Sequence, residues 1–208
     1  MRAHGKSTLI GAPADFTLDN LAAEAITGRS GPLTVIGISM GSAIALRIAL
    51  NGLANVERLI LIRPAFTTEP VPANLVGLLV AGQLLHDHPA ARAEELFRRT
   101  RAFRDVDAVS PAGAENLLVQ FRKPQARERA IRLIEIPRNR AYSTGETTQL
   151  AMPTTIIATP RDPVHPVRIA EQWHAAIPSS ILTLAPARDD GLAAQTDAIR
   201  AAIAAGLG

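Results

Sequence analysis

Cysteine is absent from the 208-residue chain, which excludes disulfides, thiol nucleophiles and zinc–thiolate sites together. Aromatic residues make up only 3%, too few for a platform on which single-stranded bases could stack. Lysine is nearly missing: Lys6 and Lys123 stand alone among 22 basic residues, the rest being arginine. The longest apolar stretch, Val71 to Leu85, is too short to cross a bilayer and is broken by Asn74 and Gln83. The N-terminal residues hold no uninterrupted apolar segment behind a basic start, so no secretory leader is expected. Apolar residues, at 47% against 20% charged, suffice for a real core and argue against disorder. These absences leave a soluble, cytoplasmic protein with no membrane partner as the expectation.

A net charge of +3 and an isoelectric point near 10.1 raise the question of nucleic acid. The arginines, however, alternate with acidic residues, as in Ala90-Ala91-Arg92-Ala93-Glu94-Glu95 and Arg127-Glu128-Arg129. Such runs read as solvated helix faces, not as a basic stripe, and no nucleic-acid partner is expected.

The hydrophobic pattern alternates strand and helix at both ends of the chain. Phe16 to Ile26 has helical spacing and stops at Gly28. Leu33 to Gly37 is a short, β-branched run bounded by Gly31-Pro32, which fits a buried strand of a parallel sheet. Ser42 to Leu50 predicts a tightly packed, alanine-rich helix, and Val56 to Ile62 a second buried strand stopped by Arg63-Pro64. From Thr67 to Leu150 only helical stretches follow: Pro72–Leu85, Ala90–Phe103, Ala112–Phe121 and Gln125–Ile134. Alternation returns with strands at Thr154–Thr159 and Ile181–Ala185, and helices at Val167–Ile177 and Thr196–Leu207. The expected class is α/β: a mostly parallel sheet flanked by helices, built from residues 1–66 and 151–208 and interrupted by a helical insertion over 67–150.

Gly37-Ile38-Ser39-Met40-Gly41 lies between the first strand and its helix. A nucleophile elbow requires a sharp strand-to-helix turn that holds a serine in a strained conformation, and the flanking Gly37 and Gly41 would relieve its crowding. That turn would also aim the Met40 backbone N–H at a developing oxyanion. Taken alone, the pentapeptide has a plainer reading as a glycine-rich strand–helix turn.

With these residues in place the chain resembles the α/β-hydrolase family, in particular its lid-bearing esterase, lactonase and haloperoxidase-like members. Arg2-Ala3-His4-Gly5-Lys6-Ser7 is similar to the family's R-G-H-G-x-S loop, and the elbow to its G-x-S-x-G. The helices over 67–150 stand where the family carries a lid. Ala158 to Pro166 resembles the segment that supplies the catalytic acid. The resemblance implies Ser39 as nucleophile, Met40 N–H as oxyanion donor and Asp162 as triad acid, with a lid shaping an apolar acyl or alcohol pocket. Asp162 has a plainer reading as an Asp-Pro turn former.

The family's histidine belongs on the loop between the last strand and the last helix. Here that stretch, Pro186 to Thr196, holds none, and Gln195 occupies the best-matching position. A glutamine amide cannot accept the serine proton near neutral pH, so Gln195 reads as the lost base. His165 reads as a helix-start residue, His174 as packing or surface, and His4 as structural near the site mouth. His86 and His88 are two apart and do not share a helix face, so no metal is expected; no cofactor is expected either.

The sequence also opens inside the R-G-H-G-x-S loop, whereas the family places four strands and a helix, roughly 60 residues, before it. The resemblance implies that the first strands are missing, that Met1 lies inside a longer reading frame, and that Leu33–Gly37 is an exposed apolar edge. A second copy of the chain could cover such an edge, which leaves homo-oligomers open. Two functions stand at this point. One is a serine hydrolase acting on a small carboxylic ester, lactone or similar acyl substrate, with negligible turnover expected in this chain for want of a base. The other is a non-catalytic pseudoenzyme or small-molecule binding module.

Overall fold

The computed structural model describes residues 1–208. Four parallel strands form one sheet in the order β1 (Pro32–Ile38), β2 (Asn55–Ile62), β3 (Thr154–Ala158), β4 (Ser180–Leu184). Strand order follows chain order, so each connection is a crossover that returns to the same end of the sheet. That end, where the strands terminate, collects the loops that matter below.

Helices cover the sheet unequally. On one face α1 (Leu18–Ile26), α2 (Met40–Leu50) and α8 (Val167–Ala176) pack against Leu59, Leu61, Ile156 and Ala158, forming the main core. Thr17 caps α1 by accepting the Asn20 amide at 3.1 Å, and Leu18, Leu21 and Ala22 are its buried stripe. The small Ser42, Ala43 and Ala45 let α2 lie close to the strands. Trp173 of α8 is fully buried and donates its indole N–H to the Phe66 carbonyl at 2.8 Å, which pins the segment after β2 beneath α8. On the other face α9 (Leu192–Leu207) covers Ile60, Ile62 and Ile157. It does not reach β1, whose Ile36 and Ile38 stay about half exposed at 48% and 49%. The outer edge of β1 pairs with no strand, in line with the exposed apolar edge read from the sequence.

Between β2 and β3 lie five helices: α3 (Val76–Asp87), α4 (Ala90–Arg98), α5 (Arg101–Val109), α6 (Pro111–Arg122) and α7 (Ile131–Glu135). They have an apolar core of their own, centred on Phe97, Phe103 and Phe121, with ring centroids 5.2–5.7 Å apart around Phe97. Ile136, Ala141, Tyr142 and Leu150 return the chain to the core of the sheet. Two helix expectations shift here. The run Ala90–Phe103 breaks in two because Thr100 leaves the helix and caps α5, accepting the Phe103 amide at 3.1 Å. Residues 124–130 form turns, with Pro124 at the start and Gln125 at φ 56°, so the helix begins only at Ile131. No helix is long and apolar enough to cross a membrane.

Candidate active site

Three strands deliver three strained residues to one place. Ser39 after β1 has φ 56°, Arg63 after β2 has φ 49°, and Arg161 after β3 has φ 53°. Left-handed backbone at non-glycine residues costs on the order of 1–3 kcal/mol each and persists where the surroundings enforce it. All three line the same cavity of about 310 Å³ outside the strand ends, the place where open α/β sheets bind ligands.

Ser39 is held from both sides. Its amide donates to the Ile62 carbonyl at 2.8 Å, and its carbonyl accepts the Ser42 hydroxyl at 2.6 Å. Gly37 makes the turn sterically feasible: a Cβ there would stand 2.1 Å from the Gly41 carbonyl oxygen. Gly41 differs from the expectation, because a Cβ at that position would meet open space. Met40 is the first residue of α2, so its N–H has no acceptor within the helix and is free for a ligand oxygen. Met40 is also one of the residues that line the cavity.

The loop after β3 supplies both remaining groups. Asp162 Oδ1 accepts the amides of Val164 and His165, each at 3.1 Å, so the carboxylate closes its own turn. That turn brings the His165 ring back onto the acid: Nδ1 lies 2.9 Å from Asp162 Oδ2, and Nε2 lies 2.7 Å from Ser39 Oγ. The two contacts fit the tautomer with its proton on Nδ1, leaving Nε2 to accept the serine hydroxyl. Arg63 Nη1 approaches Asp162 Oδ2 at 3.5 Å. Burial pushes the Asp162 carboxyl up, but the bond and charge of His165 and the charge of Arg63 outweigh it and hold the group below the ordinary carboxylate range. Burial in turn lowers Arg63, and Asp162 partly offsets this.

The expectation that no histidine reaches Ser39 is therefore corrected. His165, read from sequence as a helix-start residue, bridges Ser39 and Asp162. Gln195, read as the lost base, is buried at the start of α9 and donates its amide to the Pro186 carbonyl at 3.2 Å. The loop after β4 instead turns its carboxylates outward: Asp189 accepts the Ser110 hydroxyl at 2.5 Å and the Ala112 amide at 3.1 Å, while Asp190 pairs with Arg161. The sequence did carry a signal for His165: it is the one histidine in the loop expected to hold the acid. His4 lines the cavity, its Nδ1 2.7 Å from the Arg2 carbonyl, and His174 pairs with Ser180. No group of three or more His, Asp or Glu side chains is placed to hold a metal.

The pocket departs from the expected apolar one. Phe66, Leu75, Leu78, Leu117, Leu133 and Ile136 supply apolar walls, but Lys123, Arg132 and Arg188 stand among them.

A parallel sheet with helices on both faces, a strained serine at the first strand-to-helix turn and an acid after a later strand define an α/β hydrolase. The solved structures agree on the fold. A thermophilic esterase from Thermogutta terrifontis superposes with a TM-score of 0.63 at 21% identity, over 89% of this chain and 69% of that one. A hydrolase from Pseudomonas aeruginosa PA01 gives 0.63 at 18% over 97% and 77%. An α/β-hydrolase enzyme from a Medee basin deep-sea metagenome library gives 0.65 at 17% over 89% and 69%. No curated protein matches the sequence. The model of the hydrolase family described as serine aminopeptidase, S33, matches residues 8–187, and the chain belongs to that family.

Proposed function

We propose that this chain is a serine hydrolase of small carboxylic esters or lactones, with Ser39 as nucleophile, His165 as general base and Asp162 as the acid that orients it. The observation that carries the reading is the continuous relay from Ser39 Oγ to His165 Nε2 at 2.7 Å and from His165 Nδ1 to Asp162 Oδ2 at 2.9 Å. In the first step His165 takes the serine proton as Oγ attacks the acyl carbonyl. The Met40 N–H stabilises the oxyanion, and His165 returns the proton to the leaving alcohol as the C–O bond breaks. Water, deprotonated by the same ring, then cleaves the acyl-serine and releases the acid. Asp162 remains ionised throughout, and its charge favours the imidazolium that forms.

In this reading the helices α3 to α7 act as a lid over the acyl group. Ester cleavage fits better than removal of an N-terminal amino acid, the activity that the family's description names. An aminopeptidase needs a carboxylate for the substrate ammonium, and the only carboxylate lining this cavity, Asp162, is committed to His165. The rival reading as a binding module rested on the want of a base, and the His165 contact removes that ground. Purified chain should hydrolyse p-nitrophenyl butyrate, and Ser39→Ala should lower kcat on the order of 10⁴-fold. Equal rates for the two proteins would overturn the proposal.

A further inference from the structure

The cavity around Ser39 holds more positive charge than ester hydrolysis uses. Arg63, Lys123, Arg132, Arg161 and Arg188 line it, against the single carboxylate of Asp162. Arg63 leans on Asp162, and Arg161 pairs with Asp190. Lys123, Arg132 and Arg188 form no ion pair.

Arg132 is the least expected of the three. It is 9% exposed, yet its guanidinium makes one hydrogen bond, from Nη2 to Gln120 Oε1 at 2.7 Å. Its Nε is buried without a partner, and Nη1 has no protein acceptor. The charged group that acts on it is itself a cation, Arg129, and Arg132 in turn bears on Lys123 and His4. Burial and Arg129 pull its pKa down to about 10, which still leaves it charged at neutral pH. A buried guanidinium held by one neutral amide is costly unless an anion completes it. Its planar fork suits a carboxylate, which it can grip with two parallel bonds.

We infer that Arg132, Lys123 and Gln120 form a carboxylate-binding subsite in the cavity of Ser39, and that the ester cleaved there carries a second, free carboxylate. The inference rests on the hydrolase reading for its catalytic half only. A cavity of about 310 Å³ has room for the monoester of a short dicarboxylic acid. The apolar walls from Leu117 and Leu133 would take the methylene chain between the two carboxyl groups.

Binding and turnover test the two halves separately. Calorimetry on the Ser39→Ala protein should show glutarate binding that weakens with salt, while neutral glutaramide and inorganic phosphate bind at least about tenfold more weakly. Arg132→Gln should weaken glutarate by about tenfold or more, and Lys123→Ala, at an exposed position, by a smaller factor. In wild-type protein, proton release at constant pH should favour monoethyl glutarate over ethyl pentanoate by about tenfold in kcat/KM, and Arg132→Gln should collapse that ratio toward one. Equal binding of glutarate and glutaramide overturns the subsite, even if Arg132→Gln fails to fold. So does tighter binding of phosphate than of glutarate, or hydrolysis of both esters without preference. Glutarate binding with no turnover of either ester overturns the hydrolase reading and leaves the subsite standing.

Discussion

The loops that leave β3 and β4 divide their work in an unexpected way. The loop after β3 packs the proposed acid and base into one turn, with Asp162 and His165 three residues apart and joined by both backbone and ring hydrogen bonds. The loop after β4, where the family resemblance would put the base, brings only Arg188 to the cavity and is otherwise tied down: Asp189 fastens it to α6, Asp190 to Arg161, and Gln195 to the Pro186 carbonyl. A general base is defined by a point in space within reach of the nucleophile and of an orienting acid, and different chain orders can meet that condition. Here the meeting is easy, because Asp162 closes the turn that aims its own partner.

The sharpest way to break this contrast is to move the histidine. His165→Gln should lower kcat on p-nitrophenyl butyrate on the order of 10⁴-fold, since a group contacting both Ser39 and Asp162 is removed. Adding Gln195→His to that variant should restore nothing, because the Gln195 side chain is turned into the base of α9. A double variant that regained most of the activity would return the base to the loop after β4.

Asp162→Asn comes next. An asparagine can keep the Oδ1 bonds to the Val164 and His165 amides, so the turn should survive while the charge is lost. Its amide would then face His165 Nδ1 and favour the wrong tautomer, with an expected loss of kcat approaching that of His165→Gln. The same substitution carries a pH signature in stability. The Asp162 carboxyl is held below its ordinary value, so its contribution is present above about pH 4 and is lost as the pH falls through the lowered value. The gap in melting temperature between wild type and variant should be widest near neutral pH and close in strong acid. A gap independent of pH would show that the charge is not what the turn uses.

What the sequence displays well is whatever is local. The runs Leu33–Gly37, Val56–Ile62, Thr154–Thr159 and Ile181–Ala185 become the four strands within a residue or two. The continuous apolar pattern of a buried parallel strand holds for β3 and the C-terminal half of β2, whereas β1 and β4, at the sheet's edges, leave Ile36, Ile38, Ile181 and Leu184 exposed. The elbow is legible because Gly37 faces a backbone carbonyl that admits no side chain. His165 was hidden because its decisive contact spans 126 residues, while its neighbourhood, Asp162-Pro163-Val164-His165, looks like an ordinary turn. Arg132 was hidden for a related reason. It follows the mixed-charge run Arg127-Glu128-Arg129, and only the packing of α7 against α3 decides that this arginine turns inward.

The smallest expected effect tests the structural half of the contrast. Asp189 is exposed, yet its carboxylate accepts the Ser110 hydroxyl and the Ala112 amide at the start of α6. Those two bonds hold it below the ordinary carboxylate range, so what it adds to stability is present above about pH 4 and fades in acid. The negative charge also faces the positive end of the α6 dipole. Because Ser110 retains its own capping bond to the Gly113 amide at 2.9 Å, Asp189→Ala should lower the melting temperature by no more than a few degrees. Its kinetic effect should be equally mild and should fall on KM rather than kcat, since Ser110, Gly113, Asn116, Leu117 and Gln120 of this segment line the cavity while the Ser39–His165–Asp162 relay lies on other elements. Measured with monoethyl glutarate, the expected change is a rise in KM of about two- to fivefold, from looser placement of Gln120 beside Arg132. A fall in kcat comparable to that of His165→Gln would mean that the loop after β4 takes part in the chemistry after all, and the division of labour between the two loops would be lost.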